Sequence, residues 1–162
     1  MATQLYEADF FEWTQRQATV LRRMAAERVN SELDLENLAE QIDDVGKNRK
    51  HEVASRLETI IEHILKLAYS PAWEPIGQWK RTVRVHRRDL LGVLEDSPSL
   101  WRYAEDELES AYQHAAGQAR LSHIDLTLAP IPNENPFLFR EELLNPDWFP
   151  EPLVHPNNAP HR

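Results

Sequence analysis

The cationic residues of one short segment are the first candidates for chemistry. Residues 80–88 hold five of the chain's 18 Lys and Arg residues, although the net charge is −9. Arg81, Arg84 and Arg88 recur at helical spacing, so they share one face of a helix. Such a face could bind an acidic partner or a phosphate backbone, whereas pairing with carboxylates of neighbouring helices is the simpler interpretation. The acidic net charge argues against broad nucleic-acid binding.

A second group consists of polar residues on apolar helical stripes. Gln17 and Arg49 occupy positions where the repeat calls for an apolar residue. A charge brought into a core costs several kcal/mol unless it is paired, so Arg49 needs a partner such as Glu52 or a path to water. If the first two predicted helices are antiparallel, Gln17 and Arg49 fall within roughly 5 Å along the axis. The pair could fix helix register, or Arg49 could grip a carboxylate or phosphate.

A third group lies near a predicted turn and contains His63, Lys66, Trp79 and Thr82. His63 could donate to a carbonyl, or it could act as a general base if a substrate group lay within hydrogen-bond reach. A pocket around His63, Arg49 and Glu40 is therefore the alternative, enzymatic hypothesis.

Metal and cofactor sites have little support in the sequence. The acidic face with Glu36, Glu40, Asp43 and Asp44 lies largely opposite an apolar stripe, which is typical of a solvated surface. Di-iron bundles use Glu-x-x-His pairs, and this chain has none, nor any His-x-x-x-His on a predicted helix or any cysteine. Glycine-rich phosphate loops and Gly-x-Ser-x-Gly elbows are also missing. We therefore predict no metal and no cofactor.

The elements that position these residues are predicted to be helices. Eight of the eleven prolines follow Ala129, and the chain before them shows helical periodicity with no clear strand alternation. We predict helices over residues 9–28, 35–69 and 76–95, and a fourth from Ser97 whose apolar stripe runs to Ala115, with Asp9, Asp34 and Ser97 as N-caps. Gly46 should weaken the second helix and allow a kink there. A short helix over residues 136–144 should bring Phe137, Leu143 and Leu144 to the bundle.

The expected architecture is an all-α, up-down four-helix bundle with a proline-rich C-terminal segment packed on it. Residues 1–152 should form one domain, with the boundary between bundle and tail near residues 122–130, and residues 153–162 should be disordered. No signal peptide or membrane span is evident, so a cytoplasmic location is the default expectation.

Motifs along the chain resemble one bacterial family, catalogued as domain of unknown function 29. The resemblance rests on these stretches, in order: Tyr6, Asp9-Phe10-Phe11 and Trp13; Asp34-Leu35-Glu36-Asn37-Leu38 and Gly46; His63-Ile64-Leu65-Lys66; Trp79, Thr82, Arg84 and Arg87; Ser97-Pro98-Ser99-Leu100; Pro136-Phe137; and Trp148-Phe149-Pro150. Leu67 stands where the family commonly has an aromatic residue. The resemblance implies an all-helical fold and a bacterial source, and it implies no activity, cofactor or catalytic residue.

The function itself is unknown from sequence. We expect a non-catalytic protein that binds another protein or itself, through the basic face or through the acidic faces of the second and fourth predicted helices. The candidate binding residues are Arg81, Arg84, Arg88, Gln17, Arg49, Glu40, His63 and Trp79.

Overall fold

The structure is a computed structural model that describes residues 2–72, 74–121 and 129–154. All regular secondary structure in these ranges is helical, which confirms the predicted class. The helices are α1 (Ala2–Ala8), α2 (Phe10–Ala26), α3 (Leu35–Tyr69), α4 (Ile76–Asp96), α5 (Leu100–Asp106), α6 (Leu108–Leu121) and a π-helix, π1 (Phe139–Leu143). Within the described ranges, no helix combines the length and the apolar character that crossing a bilayer requires. The up-down order of four helices stays a prediction.

The chain divides into two compact units. Unit 1 comprises Met1–Val53 and Gly92–Tyr103, and unit 2 comprises Ala54–Leu91 and Ala104–Arg162. Helices α3, α4 and α5 each contribute residues to both units. The single-domain prediction stays open. The predicted boundary at residues 122–130 lies almost wholly outside the described residues, as do residues 155–162 of the expected disordered tail.

Helix ends depart from the prediction in three places. Helix α1 was not predicted, and the predicted fourth helix is interrupted at Glu107 between α5 and α6. The predicted tail helix is the shorter π1, in which the Leu143 and Leu144 N–H groups donate to carbonyls five residues earlier. Pro136 and the residues up to Leu138 lie outside it.

The Asp9 carboxylate accepts hydrogen bonds at the N-terminal ends of two helices in unit 1. Asp9 is the N-cap of α2, as predicted, and accepts from the Glu12 N–H at 2.9 Å. It also accepts from the Ser99 N–H at 2.6 Å and the Ser99 hydroxyl at 2.9 Å, just before α5 begins. The Ser97 side chain, predicted to cap its own helix, instead accepts from the Phe11 N–H at 3.2 Å. These reciprocal capping hydrogen bonds therefore join the sequence motif around Asp9 to the motif that begins at Ser97.

Small side chains lie where α2 packs on α3 in unit 1. Thr14 and Ala18 of α2 are buried, as are Ala39 and Gly46 of α3. A Cβ atom at Gly46 would lie 2.6 Å from Thr14 Oγ1 and 2.7 Å from Gln15 Nε2. The glycine therefore permits a close approach of the two helices, which explains its place within a helix despite its poor propensity.

This close approach corrects the predicted stripe. The helical repeats of apolar residues in α2 and α3 predict core positions for Val20, Leu38 and Val45. Leu38 and Val45 are nevertheless 38% and 42% exposed, and Val20 is 37% exposed. The helices turn their small residues inward because the shorter side chains allow tighter contact between the backbones. The large residues at these positions are consequently left outside.

Unit 2 has a core of large apolar side chains. Fully buried members are Leu57, Ile60, Ile61, Ile64 and Leu65 from α3, Val83 and Leu90 from α4, Tyr112 from α6 and Leu143 from π1. Burial of such side chains contributes about 1.5–3 kcal/mol each. The Tyr112 hydroxyl donates to the Pro132 carbonyl at 2.7 Å, so the segment after residue 129 contacts α6.

Candidate functional site

A buried arginine joins α4 to the C-terminal segment in unit 2. Arg87 is 1% exposed. Its Nε donates to the Leu143 carbonyl at 2.7 Å, its Nη2 to the Glu142 carbonyl at 2.8 Å and its Nη1 to the Trp148 carbonyl at 2.8 Å. The fork-shaped guanidinium is suited to binding several oxygens at once. We call this arrangement the Arg87 clamp.

The carbonyls in the clamp explain why a charge is tolerated there. Glu142 and Leu143 lie at the C-terminal end of π1. Carbonyls there accept no hydrogen bond from within the helix and carry partial negative charge. Burial lowers the pKa of Arg87 to about 10, and the neighbouring Arg84 adds to this effect. The guanidinium is therefore charged at neutral pH, and three main-chain acceptors compensate its desolvation.

A ring of cations surrounds Phe149, close to the clamp. The charged groups of Lys80, Arg84 and Arg87 lie 5.3, 5.1 and 5.1 Å from the Phe149 ring centroid. Each distance is within cation–π range. This contact adds a second tie between α4 and the C-terminal segment.

The predicted basic face divides into paired and unpaired members. Arg88 bonds Asp89 at 2.9 Å, and Arg56 of α3 bonds the same carboxylate at 3.1 Å. Arg88 and Arg56 thus hold the pKa of Asp89 below its ordinary value, the Arg88 hydrogen bond being the largest cause. Among the described residues, by contrast, Lys80, Arg81 and Arg84 form no ion pair. We refer to these three residues as the α4 cation cluster.

An open depression of about 670 Å³ adjoins this cluster. The described residues that line it belong to α4: Gly77, Gln78, Arg81, Thr82, Val85 and His86. Arg81 and Val85 are exposed, so one cation and one apolar side chain face the opening together. Trp79, the other predicted site residue of this helix, is half-buried and is not part of the lining.

His86 is the most unusual titratable group in this depression. Its Nδ1 is buried and has no hydrogen-bond partner among the described residues. Burial lowers the pKa of His86, Arg56 and His63 lower it further, and Asp89 partly opposes them. The imidazole is therefore held in its neutral form more strongly than a free histidine.

The residues of the enzymatic hypothesis belong to both units, Glu40 and Arg49 to unit 1 and His63 to unit 2. The His63 Nδ1 lies 2.9 Å from the Thr59 carbonyl and therefore donates to its own helix. The pocket around these three residues stays a prediction.

Arg49 and Gln17 belong to unit 1 and are both half-buried. Arg49 donates to Glu52 at 3.3 Å, which is the partner considered from sequence, and its guanidinium lies 5.2 Å from the Phe10 ring centroid. These contacts tie Arg49 to α2 through an aromatic residue rather than through Gln17. The shared Gln17–Arg49 layer stays a prediction.

Glu40 lines a groove of about 470 Å³ in unit 1, together with Arg22, Glu36, Asp43 and Lys47 among others. Arg22 bonds Asp43 at 3.0 Å and Lys47 lies 3.4 Å from it. The Arg22 hydrogen bond, with a further contribution from Lys47, lowers the pKa of Asp43. The described residues contain no cluster of three His, Asp or Glu side chains suited to a metal ion. This groove is thus a local network of ion pairs.

Sequence reasoning underrated Arg87. The sequence motifs include Arg87 without assigning it a role, whereas it lies in the apolar line of α4, between buried Val83 and buried Leu90. Its position, four residues after Val83 and three before Leu90, was the signal that the sequence offered. What the spacing could not reveal is the partner, because the three acceptors lie at least 55 positions further along the chain.

Comparison with known proteins agrees with this all-helical picture. A crystal structure of an alpha-helical protein of unknown function from Rhodospirillum rubrum is similar, with 26% sequence identity and a TM-score of 0.72. The match covers 88% of this chain and 90% of that one. No curated protein matches the chain. The family model "Domain of unknown function DUF29" matches residues 5–149. The chain therefore belongs to the DUF29 family, as its motifs indicated.

Proposed function

We propose that this protein is a non-catalytic, cytoplasmic binding protein that captures an acidic segment of another protein on α4. The observation that carries the proposal is the α4 cation cluster. Arg56 and Arg88 both pair with Asp89, whereas Lys80, Arg81 and Arg84 have no carboxylate partner among the described residues. The like charges of these three residues repel one another, and an anionic partner relieves that repulsion.

The depression beside the cluster supports a peptide partner. Val85 provides an exposed apolar contact, and Gln78 and Thr82 add polar groups on the same face. A bound segment with alternating acidic and apolar side chains would satisfy both kinds of contact. The net charge of −9 repels a polyanion such as nucleic acid over long range, which favours a short acidic segment instead.

The geometry gives less support to an enzyme. The His63 Nδ1 donates to the Thr59 carbonyl, and Glu40 lines a groove whose Asp43 pairs with Arg22 and Lys47. The binding hypothesis therefore stands ahead of the enzymatic one.

A peptide titration tests the proposal. The probe is a synthetic peptide of alternating Glu and Leu residues, added to ¹⁵N-labelled protein at low salt. We expect chemical-shift changes centred on residues 77–86, and affinity that falls about tenfold or more between 50 and 300 mM salt. Replacing both Arg81 and Arg84 by Glu should abolish binding, because it reverses the local charge.

Arg88→Gln is the matched control, since this arginine lies on the same helix but is already paired with Asp89. It should keep at least half of the affinity. Equal losses in both variants, or no binding of the peptide at all, would reject the α4 cation cluster as an acidic-segment site. Tighter binding of a single-stranded oligonucleotide than of the peptide would reject the choice of partner.

A further inference from the structure

An uncharged strip runs along the outer face of α3 in unit 1. Leu38 and Val45 are 38% and 42% exposed, and one is seven positions after the other, so they lie on the same face. Gln41 and Asn48 are also exposed and fall on this face at 3.6 residues per turn. We call these four residues the α3 strip.

The strip is unusual for this chain. Charged residues make up 28% of the sequence, yet four successive outward positions of one helix face carry none. The two large apolar side chains in it belong to a helical repeat that continues as core further along α3. Ile42, half-buried, adjoins them. This combination indicates a surface that is covered by another apolar surface.

We propose that the strip binds the same strip of a second copy, in an antiparallel arrangement. Two molecules with a net charge of −9 repel each other, so self-association requires a contact region free of acidic residues. The α3 strip meets that requirement. Its amide side chains are each both donor and acceptor, so they are complementary to themselves across a two-fold axis.

The spacing of charges around the strip fits this arrangement. A two-fold axis between positions 41 and 42 places Leu38 of each copy opposite Val45 of the other. The same axis sets Asp34 opposite Arg49 of the second copy, so opposite charges face each other at both ends. The Arg49 side chain is 32% exposed and therefore accessible for such a contact. The proposal is independent of the acidic-segment site on α4.

Disulfide trapping tests the arrangement directly, because the chain has no cysteine of its own. A Leu38→Cys variant and a Val45→Cys variant are mixed at equal concentration and oxidised mildly. We expect the mixed 38–45 disulfide dimer to exceed either homodimer severalfold, because a disulfide needs Cα atoms within about 7 Å. Val20→Cys, at an exposed apolar position of α2, is the matched control and should cross-link only at background level.

Sedimentation and light scattering provide the second measurement. The wild-type chain should shift from monomer to dimer as concentration rises, and Leu38→Glu should raise the dissociation constant at least tenfold. Because Leu38 is exposed, helical content by circular dichroism should not change. A wild-type chain that is monomeric at millimolar concentration, a dimer unaffected by Leu38→Glu, or Val20 cross-links as abundant as the 38–45 product would overturn the proposal.

Discussion

The two units of this chain bury polar atoms in opposite ways. In unit 1, α2 and α3 meet through small residues, with Thr14 and Gly46 in close contact. In unit 2, whose core consists of large apolar side chains, Arg87 is buried and its charge is satisfied by three main-chain carbonyls. Unit 1 therefore depends on the fit between two backbones, whereas unit 2 depends on a set of hydrogen bonds to one side chain.

This difference determines which substitutions each unit tolerates. A closely fitted helix pair is sensitive to added volume, because interiors are packed to high density. A buried, hydrogen-bonded charge is sensitive to the loss of either partner, because the remaining groups stay desolvated.

The largest effect is expected from Arg87→Met. The substitution leaves three carbonyls without their donors and removes the tie between α4 and the C-terminal segment, so it should lower the free energy of unfolding by about 3–5 kcal/mol. Urea denaturation followed by circular dichroism measures this change. Arg87→Lys should recover only part of the loss, since an ammonium group lacks the fork geometry.

Arg84→Met is the control for the clamp. Arg84 is exposed and shares only the Phe149 contact with Arg87, so its removal should cost below about 1 kcal/mol. Comparable losses in the Arg84 and Arg87 variants would show that the ring contact, and not the three hydrogen bonds, stabilises unit 2.

A smaller effect is expected from Gly46→Ala. The added methyl group would meet Thr14 Oγ1 at 2.6 Å, so it should destabilise by about 1–3 kcal/mol even though alanine is the better helix former. Gly117→Ala is the matched control in α6, because a Cβ atom there meets nothing within 4 Å. That variant should gain up to about 1 kcal/mol. Thermal denaturation of both variants decides the matter, and a Gly46 variant as stable as the Gly117 one would refute the close-contact explanation.

The smallest effect concerns pH. The pKa of His86 is lower in the folded state than in the unfolded chain, chiefly because of burial and of Arg56. Unfolded molecules therefore bind more protons, and stability should decrease as the pH falls below about 6.5 towards the lowered pKa. Denaturation midpoints between pH 7.5 and 5 should show this slope, and His86→Gln should flatten it. A slope of equal size in the variant would assign it to other groups.

Local signals in the sequence predicted most helix limits. Asp9 and Asp34 mark the beginnings of α2 and α3, as capping preference requires, and Pro71 follows the end of α3. The repeat of large apolar residues also predicted the unit 2 part of the core in α3. The repeat was wrong at Leu38 and Val45, because periodicity by itself does not show that α3 packs on α2 through the small residues beside them.

The candidate site was predicted only in outline. The cations of α4 were identified from their spacing, but spacing could not show which of them are neutralised. Asp89 pairs with Arg88 and Arg56, whereas Glu105 of the following helix, α5, pairs with Arg140 and not with a cation of α4. The remaining cluster at Lys80, Arg81 and Arg84 emerged only from this distribution.

Composition, caps and helical periodicity determined by themselves that this chain is all-helical, because those signals act within a few residues of each other. The tertiary structure alone decided that Gly46 serves as a contact point and that Arg87 is a clamp. Both roles depend on groups that are distant in sequence: Thr14 lies 32 positions from Gly46, and the Arg87 acceptors lie still further away. Steric fit and buried hydrogen bonding exist only once such segments meet.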